Sequence, residues 1–101
     1  RRCWVDQILA NTIHGHHTYI TLYSTEKNVE KLREEMKNFA NDLEMFFAQT
    51  VKLINAQLNG IQISLPQERP FTIIGAIPQF ADDDKHKDLR SLNKLIPLDQ
   101  I

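Results

Sequence analysis

The sequence has few of the residues that build disulfide frameworks, zinc sites and phosphate-binding loops. Cys3 is the only cysteine among 101 residues, which excludes an internal disulfide and a paired-cysteine zinc motif. The glycines Gly15, Gly60 and Gly75 are scattered singly, and this excludes a glycine-rich phosphate loop. No apolar run approaches the roughly 20 residues of a membrane-spanning helix. We therefore expect a cytoplasmic protein that does not contact a membrane, since a lone cysteine favours a reducing compartment.

An excess of charge of either sign is also missing. Lysine and arginine number 12 against 13 for aspartate and glutamate, which gives a net charge of −1. This balance is not the footprint of a nucleic-acid-binding protein, so we expect a protein partner instead. With 42% hydrophobic and 25% charged residues, the chain is expected to form a single α+β domain over residues 1–101. It begins with Arg1 rather than methionine, so we also consider that it is a fragment of a longer chain.

The strongest pattern is an apolar stripe at helical spacing between Thr25 and Asn59. It predicts one long helix, with Ser24 or Thr25 as the N-cap and Asn59 with Gly60 as the stop. Such a helix would span roughly 50 Å, whereas a domain of this size has a radius of gyration of about 13 Å. The stripe consists of Val29, Leu32, Met36, Phe39, Ala40, Leu43, Phe47, Val51, Ile54 and Leu58.

In the second half of this helix, the apolar arc is wider than the arc that one sheet face usually covers. Phe39, Phe46 and Leu53 fall together at one edge of the stripe, so a second surface is expected to pack there. We predict a contact with a second copy or another subunit, made by Phe39, Phe46, Phe47 and Leu53. The alternative is that the chain's own C-terminal segment supplies this cover.

The first 23 residues are interpreted as a β-hairpin. His17 to Tyr23 is rich in β-branched and aromatic residues and alternates in polarity, as a strand does. Residues 1–13 fit either a strand or a helical face, and a two-residue loop at His14 and Gly15 favours the strand. An N-terminal helix is the rival interpretation.

Two more strands and a short helix are predicted after the long helix. Ile61 to Leu65 alternates apolar and polar residues, and Phe71 to Ile77 is apolar on both faces, as a central strand would be. Gly75 could mark a bulge, admit another backbone or make room for the long helix, and we favour the last. The acidic run Asp82 to Asp84 predicts the start of a short helix that ends near Pro97.

The resulting order, ββαββα, predicts an α+β fold in which an antiparallel sheet of about four or five strands packs against one long helix, with a short C-terminal helix. This order resembles that of the small sheet-and-helix modules of the roadblock and longin type. The resemblance is one of topology, and it implies a dimerising platform.

The histidines His14, His16 and His17 are the conspicuous polar cluster. Histidine binds divalent transition metals readily, so three within four residues suggest a metal site. Adjacent strand residues point to opposite faces, however, so His16 and His17 cannot both reach one ion within a strand. An exposed polar hairpin tip is the favoured interpretation, and we expect no cofactor.

The function predicted from the sequence is a non-enzymatic interaction or assembly module that forms a homodimer through the long helix. The alternative is a regulatory domain that senses a metal or small molecule through the histidine cluster. An enzyme is disfavoured because no nucleophile stands beside a base in any recognisable local signature.

Overall fold

A computed structural model of the chain describes residues 2–79 and 94–98. The strand order in its sheet is β1-β2-β3. Contacts divide the chain into two compact units. The first unit consists of Arg1–Thr18 and Phe39–Thr72, and the second consists of Tyr19–Asn38 and Ile73–Ile101. The elements are α1 (Arg2–Ile13), β1 (Thr18–Ser24), α2 (Val29–Gln57), β2 (Phe71–Pro78) and β3 (Ile96–Pro97).

The first two strands of the sheet run parallel. At their start the Thr18 N–H donates to the Pro70 carbonyl at 3.2 Å, and at their end the Gln79 N–H donates to the Ser24 carbonyl at 2.6 Å. Parallel neighbours need a long crossover connection, and α2 lies within it. The third strand, β3, pairs antiparallel with β2.

The predicted antiparallel sheet of four or five strands is therefore wrong. The described residues hold a mixed sheet of three strands with two helices, in the order α1-β1-α2-β2-β3. Because the chain begins with a helix rather than a hairpin, the topological resemblance to roadblock and longin modules loses its basis.

Residues 2–13 form a helix, so the favoured hairpin is wrong and its rival is correct. Val5 and Ile8, which lie one helical turn apart, are buried, whereas Ile13 is exposed. A strand would have required Val5, Leu9 and Ile13 on one covered face, but burial follows the helical spacing instead.

The turn at Gly15 ends this helix and does not join two strands. Gly15 has a φ of 76°, its N–H donates to the Thr12 carbonyl at 3.0 Å, and the His16 N–H donates to the Asn11 carbonyl at 2.7 Å. This pair of bonds is the Schellman motif, in which a left-handed glycine closes a helix C-terminus.

The long helix is confirmed, but its N-cap lies later than predicted. Asn28, rather than Ser24 or Thr25, caps α2, because its Oδ1 accepts the Lys31 N–H at 3.1 Å. The helix ends at Gln57, three residues before Gly60, whose φ is 106°. Its 29 residues span roughly 44 Å at 1.5 Å per residue.

Each unit buries apolar side chains from its own helical and strand segments. In the first unit these come from α1, the C-terminal part of α2 and the start of β2; in the second they come from β1, the N-terminal part of α2 and β2. The buried apolar residues are Val5, Ile8, Ala40, Leu43, Phe47, Val51 and Phe71 in the first unit and Ile20, Leu32, Met36, Ile73 and Ala76 in the second.

The chain between α2 and β2 is irregular, so the strand predicted at Ile61 to Leu65 is wrong. The reason is local: the Asn55 side chain bonds to the backbone of Ile63, where a neighbouring strand would otherwise do so. The strand predicted at Phe71 to Ile77 is confirmed by β2.

Gly75 admits another backbone and does not make room for the long helix. A Cβ at this position would lie 2.2 Å from the Ile96 carbonyl oxygen, because Gly75 sits opposite Pro97 in the β2–β3 pairing. The helix predicted from Asp82 onward lies mostly outside the described residues. Its predicted end near Pro97 is wrong, since Ile96–Pro97 is a strand.

Candidate functional site

The exposed side of α2 changes character along its length. Five of the eight exposed residues from Val29 to Asn41 are charged, against two of the eight from residue 42 to Gln57. A solvated helix face normally carries charge throughout, so the second half departs from the expected pattern. Its exposed side is the best candidate for a contact surface in the described part of the chain.

Five of these residues lie within about 100° of the helix circumference. Leu53 is 67% exposed, Met45 49% and Phe46 36%. The uncharged residues Gln49 and Ala56 lie between them on the helix face. This is more apolar exposure on one helix face than scattered single residues would give. We call this the α2 apolar surface: Met45, Phe46, Gln49, Leu53 and Ala56.

The structure distributes the four predicted interface residues over different environments. Phe46 and Leu53 are exposed on the α2 apolar surface, whereas Phe47 is 3% exposed and belongs to the buried residues of its unit. Phe39 is half-buried, and its ring meets Trp4 of α1 edge-on, with centroids 6.3 Å apart and planes at 86°. Phe39 therefore packs within its own unit, and Phe46 and Leu53 are the two predicted interface residues that are exposed.

Sequence reasoning missed Met45, Gln49 and Ala56. They lie on the polar flank of the apolar stripe, and the hydrophobic spacing alone does not select them. The signal that could have found them is the scarcity of charge on that flank after residue 44.

The histidine cluster follows the Schellman turn of α1. The rings of His14 and His16 have centroids 6.4 Å apart, while the His17 Nε2 is 2.7 Å from the Thr72 Oγ1 of β2. In the described residues, no group of three or more histidine, cysteine, aspartate or glutamate side chains is arranged to hold a metal ion. The structure thus does not bring the three histidines together around one point.

A shallow recess lies beside this turn. It has a volume of about 290 Å³ and is lined by Thr12, Gly15, His16, His17, Pro66, Glu68, Arg69 and Pro70. Pockets for small molecules are usually about 300–1,000 Å³ and mostly apolar. This one is small and shallow, and the structure gives it no feature that selects a ligand.

Arg69 holds the irregular segment against α2. Its Nε donates to Glu44 Oε2 at 3.0 Å and its guanidinium forms an ion pair with the same carboxylate. The guanidinium also donates to Asn41 Oδ1 at 3.3 Å and lies 5.4 Å from the ring centroid of Phe71. These contacts position the segment before β2.

The turn between β1 and α2 is held by a serine and two glutamates. The buried Ser24 Oγ donates to the Glu35 carboxylate and accepts the Glu26 N–H, each at 3.0 Å. Hydrogen bonds from the backbone of Asn28 and, less strongly, of Lys27 lower the pKa of the Glu26 carboxyl. The carboxylate therefore stabilises the backbone that enters α2.

The fold gives few direct indications of function beyond these contacts. Cys3 is exposed in α1. No helix in residues 2–79 and 94–98 is both long and apolar enough to cross a membrane.

Comparisons with protein-family models, with curated proteins and with solved structures find no match for this chain.

Proposed function

We propose that this protein is a non-enzymatic assembly module that self-associates through the α2 apolar surface. The observation that carries the proposal is the scarcity of charge on the exposed side of α2 after residue 44, where Lys52 is the single charged residue among seven exposed ones. A surface that only faces water gains nothing from exposed leucine, methionine and phenylalanine, whereas a contact surface is depleted in charge and enriched in such residues.

The spacing on this surface suits a second copy as the partner. Met45 and Leu53 lie four residues on either side of Gln49, so two antiparallel helices related by a two-fold axis at Gln49 would place Met45 of one copy against Leu53 of the other. The two Gln49 amides would then meet at the axis and could hydrogen-bond to each other. Such a self-complementary patch is what a two-fold interface requires.

The size of the surface predicts a weak association. Full burial of a leucine or methionine stabilises by about 1.5–3 kcal/mol, and these side chains are already partly buried in the monomer. Association itself costs an estimated 4–15 kcal/mol. The gain from burying the exposed parts of these side chains is of the same order as this cost, so we expect a monomer and a dimer in exchange rather than a permanent dimer.

The test is the light-scattering mass of the protein after size exclusion, measured over a range of concentrations. The mass of the native chain should rise from 11.8 kDa toward twice that value. Leu53→Glu should associate more weakly than the native chain, with unchanged helical circular dichroism. A matched control is Val29→Glu, which adds the same charge at an exposed α2 position outside the α2 apolar surface and should associate like the native chain.

Two results would contradict the proposal: a native chain that is monomeric at every concentration, or a Leu53→Glu variant that associates as strongly as Val29→Glu. The same series with added zinc tests the alternative function, a metal-sensing domain. A zinc-dependent change in mass that is lost when His14, His16 and His17 are replaced by alanine would favour that alternative.

A further inference from the structure

A second feature of the chain, separate from the α2 apolar surface, is the irregular segment Ile61 to Leu65. The Ile63 N–H donates to Asn55 Oδ1 and the Ile63 carbonyl accepts from Asn55 Nδ2, both at 2.8 Å. One side chain can reach both groups only if they point the same way. This is the arrangement of a residue in an extended strand, so the Asn55 amide occupies the place of a neighbouring strand.

The alternation of an extended chain then directs the neighbouring backbone groups away from Asn55. The N–H and carbonyl groups of Gln62 and Ser64 point to the side opposite those of Ile63. Both residues are exposed, and within the described residues no backbone hydrogen bond pairs them with another strand. With the chain extended at Ile63, Gln62 and Ser64 would present four unpaired strand-edge groups.

The ends of this edge are fixed by the sequence. Gly60 has a φ of 106°, which is not an extended conformation, and Pro66 has no N–H to donate. Ile61 to Leu65 is therefore the longest stretch here that could pair as a strand edge, and we call it the Ile63 edge. Exposed strand edges are templates for pairing with another chain.

The Ile63 edge is complementary to itself. In an antiparallel pair with a two-fold axis at Ile63, Gln62 of one copy lies opposite Ser64 of the other, and these residues exchange all four hydrogen bonds. The same register places Ile61 opposite Leu65 across the strands, and such apolar cross-strand pairs stabilise a sheet. Ile61 is 93% exposed in the single chain.

The charge pattern supports a second copy as the occupant. Residues 59–67 contain no charged side chain, so two copies of the edge meet without repulsion. In the two-fold register Glu68 falls opposite Leu58 and Arg69 opposite Gln57, which also brings no like charges together.

We propose that two copies of this protein pair through the Ile63 edge as antiparallel strands. This contact is independent of the α2 apolar surface, because Asn55 and Leu53 lie about 200° apart around the helix axis. A chain with two self-complementary surfaces on opposite sides of one helix would assemble beyond a dimer when both are engaged.

The test is amide hydrogen exchange by NMR, measured on Leu53→Glu at low and at high concentration, so that the α2 apolar surface is disabled. The Gln62 and Ser64 amides should exchange more slowly as the protein concentration rises. When nine-tenths of the chains are paired, the exchange rate should fall by about tenfold, because exchange then occurs only in the unpaired tenth. The Ile63 amide, which already bonds to Asn55, should not change with concentration.

Substitutions on the same background separate the strand edge from other contacts. Ser64→Pro removes one outward N–H and leaves Ile63 bonded to Asn55, whereas the control Ser64→Ala keeps the N–H. Ser64→Pro should stay monomeric where Ser64→Ala associates. Ile61→Lys, at an almost fully exposed position that cannot affect folding through burial, should also stay monomeric.

Two outcomes would overturn the proposal. Gln62 and Ser64 amides that exchange rapidly at every concentration would show that the edge stays unpaired. Amides that are already slow at the lowest concentration would show that the edge is covered within one chain. Neither outcome depends on whether the α2 apolar surface mediates association, because Leu53→Glu removes that surface in every arm.

Discussion

Replacing Gly75 by alanine tests the close approach of β3 to β2 at this residue. The added Cβ would lie 2.2 Å from the Ile96 oxygen, 2.9 Å from the Ile96 carbonyl carbon and 3.0 Å from the Pro97 Cα, whereas ordinary contacts begin near 3.4 Å. All three atoms belong to the backbone, so no side-chain rotation relieves the overlap. β3 must move away from β2 by more than 1 Å.

The cost follows from the contacts that this movement breaks. Overpacking at a fixed neighbour typically destabilises by about 1–3 kcal/mol, and replacing glycine by alanine in an extended segment returns roughly 0.4–1 kcal/mol by reducing the entropy of the unfolded chain. The net loss in the free energy of unfolding should be about 1–2 kcal/mol. For a domain of this length that corresponds to a fall in Tm of roughly 5–15 °C.

The assay is urea unfolding of the native chain and of Gly75→Ala, repeated in chains that end at residue 93 and so lack β3. In the chains that lack β3, Gly75→Ala should leave the free energy of unfolding unchanged or raise it slightly, because the backbone atoms of Ile96 and Pro97 are absent. An equal loss in both pairs would show that the cost does not come from β3 and would refute the interpretation of Gly75.

Three further predictions concern single side chains. Asn55→Ala should lower the free energy of unfolding by roughly 1–3 kcal/mol in urea titrations, because it removes two hydrogen bonds to Ile63; a loss below 0.5 kcal/mol, as for an ordinary surface substitution, would count against that role. Phe47→Ala should cost about 3–5 kcal/mol, since it opens a cavity at a buried site, and a near-neutral effect would show that Phe47 is not core. Glu26 has a pKa below its ordinary value of 4.5 because Asn28 and Lys27 N–H groups bond to its carboxylate. The stability that the Glu26 carboxylate contributes is therefore complete above pH 4.5 and is lost as pH falls through the lowered pKa. The free energies of unfolding of the native chain and of Glu26→Gln should then converge in acid. A difference that stays constant with pH would contradict the assignment.

The sequence predicted the elements whose pattern is carried by neighbouring residues. α2 repeats its apolar spacing over eight turns, and the strand pattern of His17 to Tyr23 and of Phe71 to Ile77 fits β1 and β2. The spacing in α2 and the alternation at His17 to Tyr23 each indicate one secondary structure within their own length, and the short apolar run at Phe71 to Ile77 is typical of a central strand. Their identification therefore needed no knowledge of the rest of the chain.

The prediction for the N-terminal segment was wrong because the same apolar residues fit both the helical and the strand spacing. Val5, Leu9 and Ile13 are spaced by four, which satisfies both a strand face and a helix face. The choice then rested on Gly15, and a glycine after a polar residue suits both a hairpin loop and a helix C-terminus. The burial of Ile8 and the exposure of Ile13 in the structure identify the helix.

The sheet topology could not be obtained from local pattern at all. The hairpins are predicted from strands that follow one another along the chain. In the structure β1 and β2 are parallel neighbours, and α2 lies between them in the sequence. The alternation at Ile61 to Leu65 predicts a strand that the structure does not form, because the backbone of Ile63 bonds to the amide of Asn55. A side chain that replaces a strand leaves no periodic signal.

The candidate surface was predicted in part. Phe46 and Leu53 were selected as the edge of an apolar arc and are exposed, whereas Phe47 lies one residue further around the helix and is buried. A rotation of about 100° per residue separates the two environments. Apolar spacing alone does not fix which edge of an arc is covered.

The central claim, that two copies meet through the α2 apolar surface, is tested most directly by a disulfide at its proposed two-fold axis. Gln49→Cys in a Cys3→Ser background should oxidise to a covalent dimer much faster than Glu34→Cys in the same background, because position 49 meets its own copy at the axis and position 34 lies on the charged part of α2. Adding Leu53→Glu to Gln49→Cys should slow the reaction to the rate of the control. Equal rates for Gln49→Cys and Glu34→Cys would contradict the account.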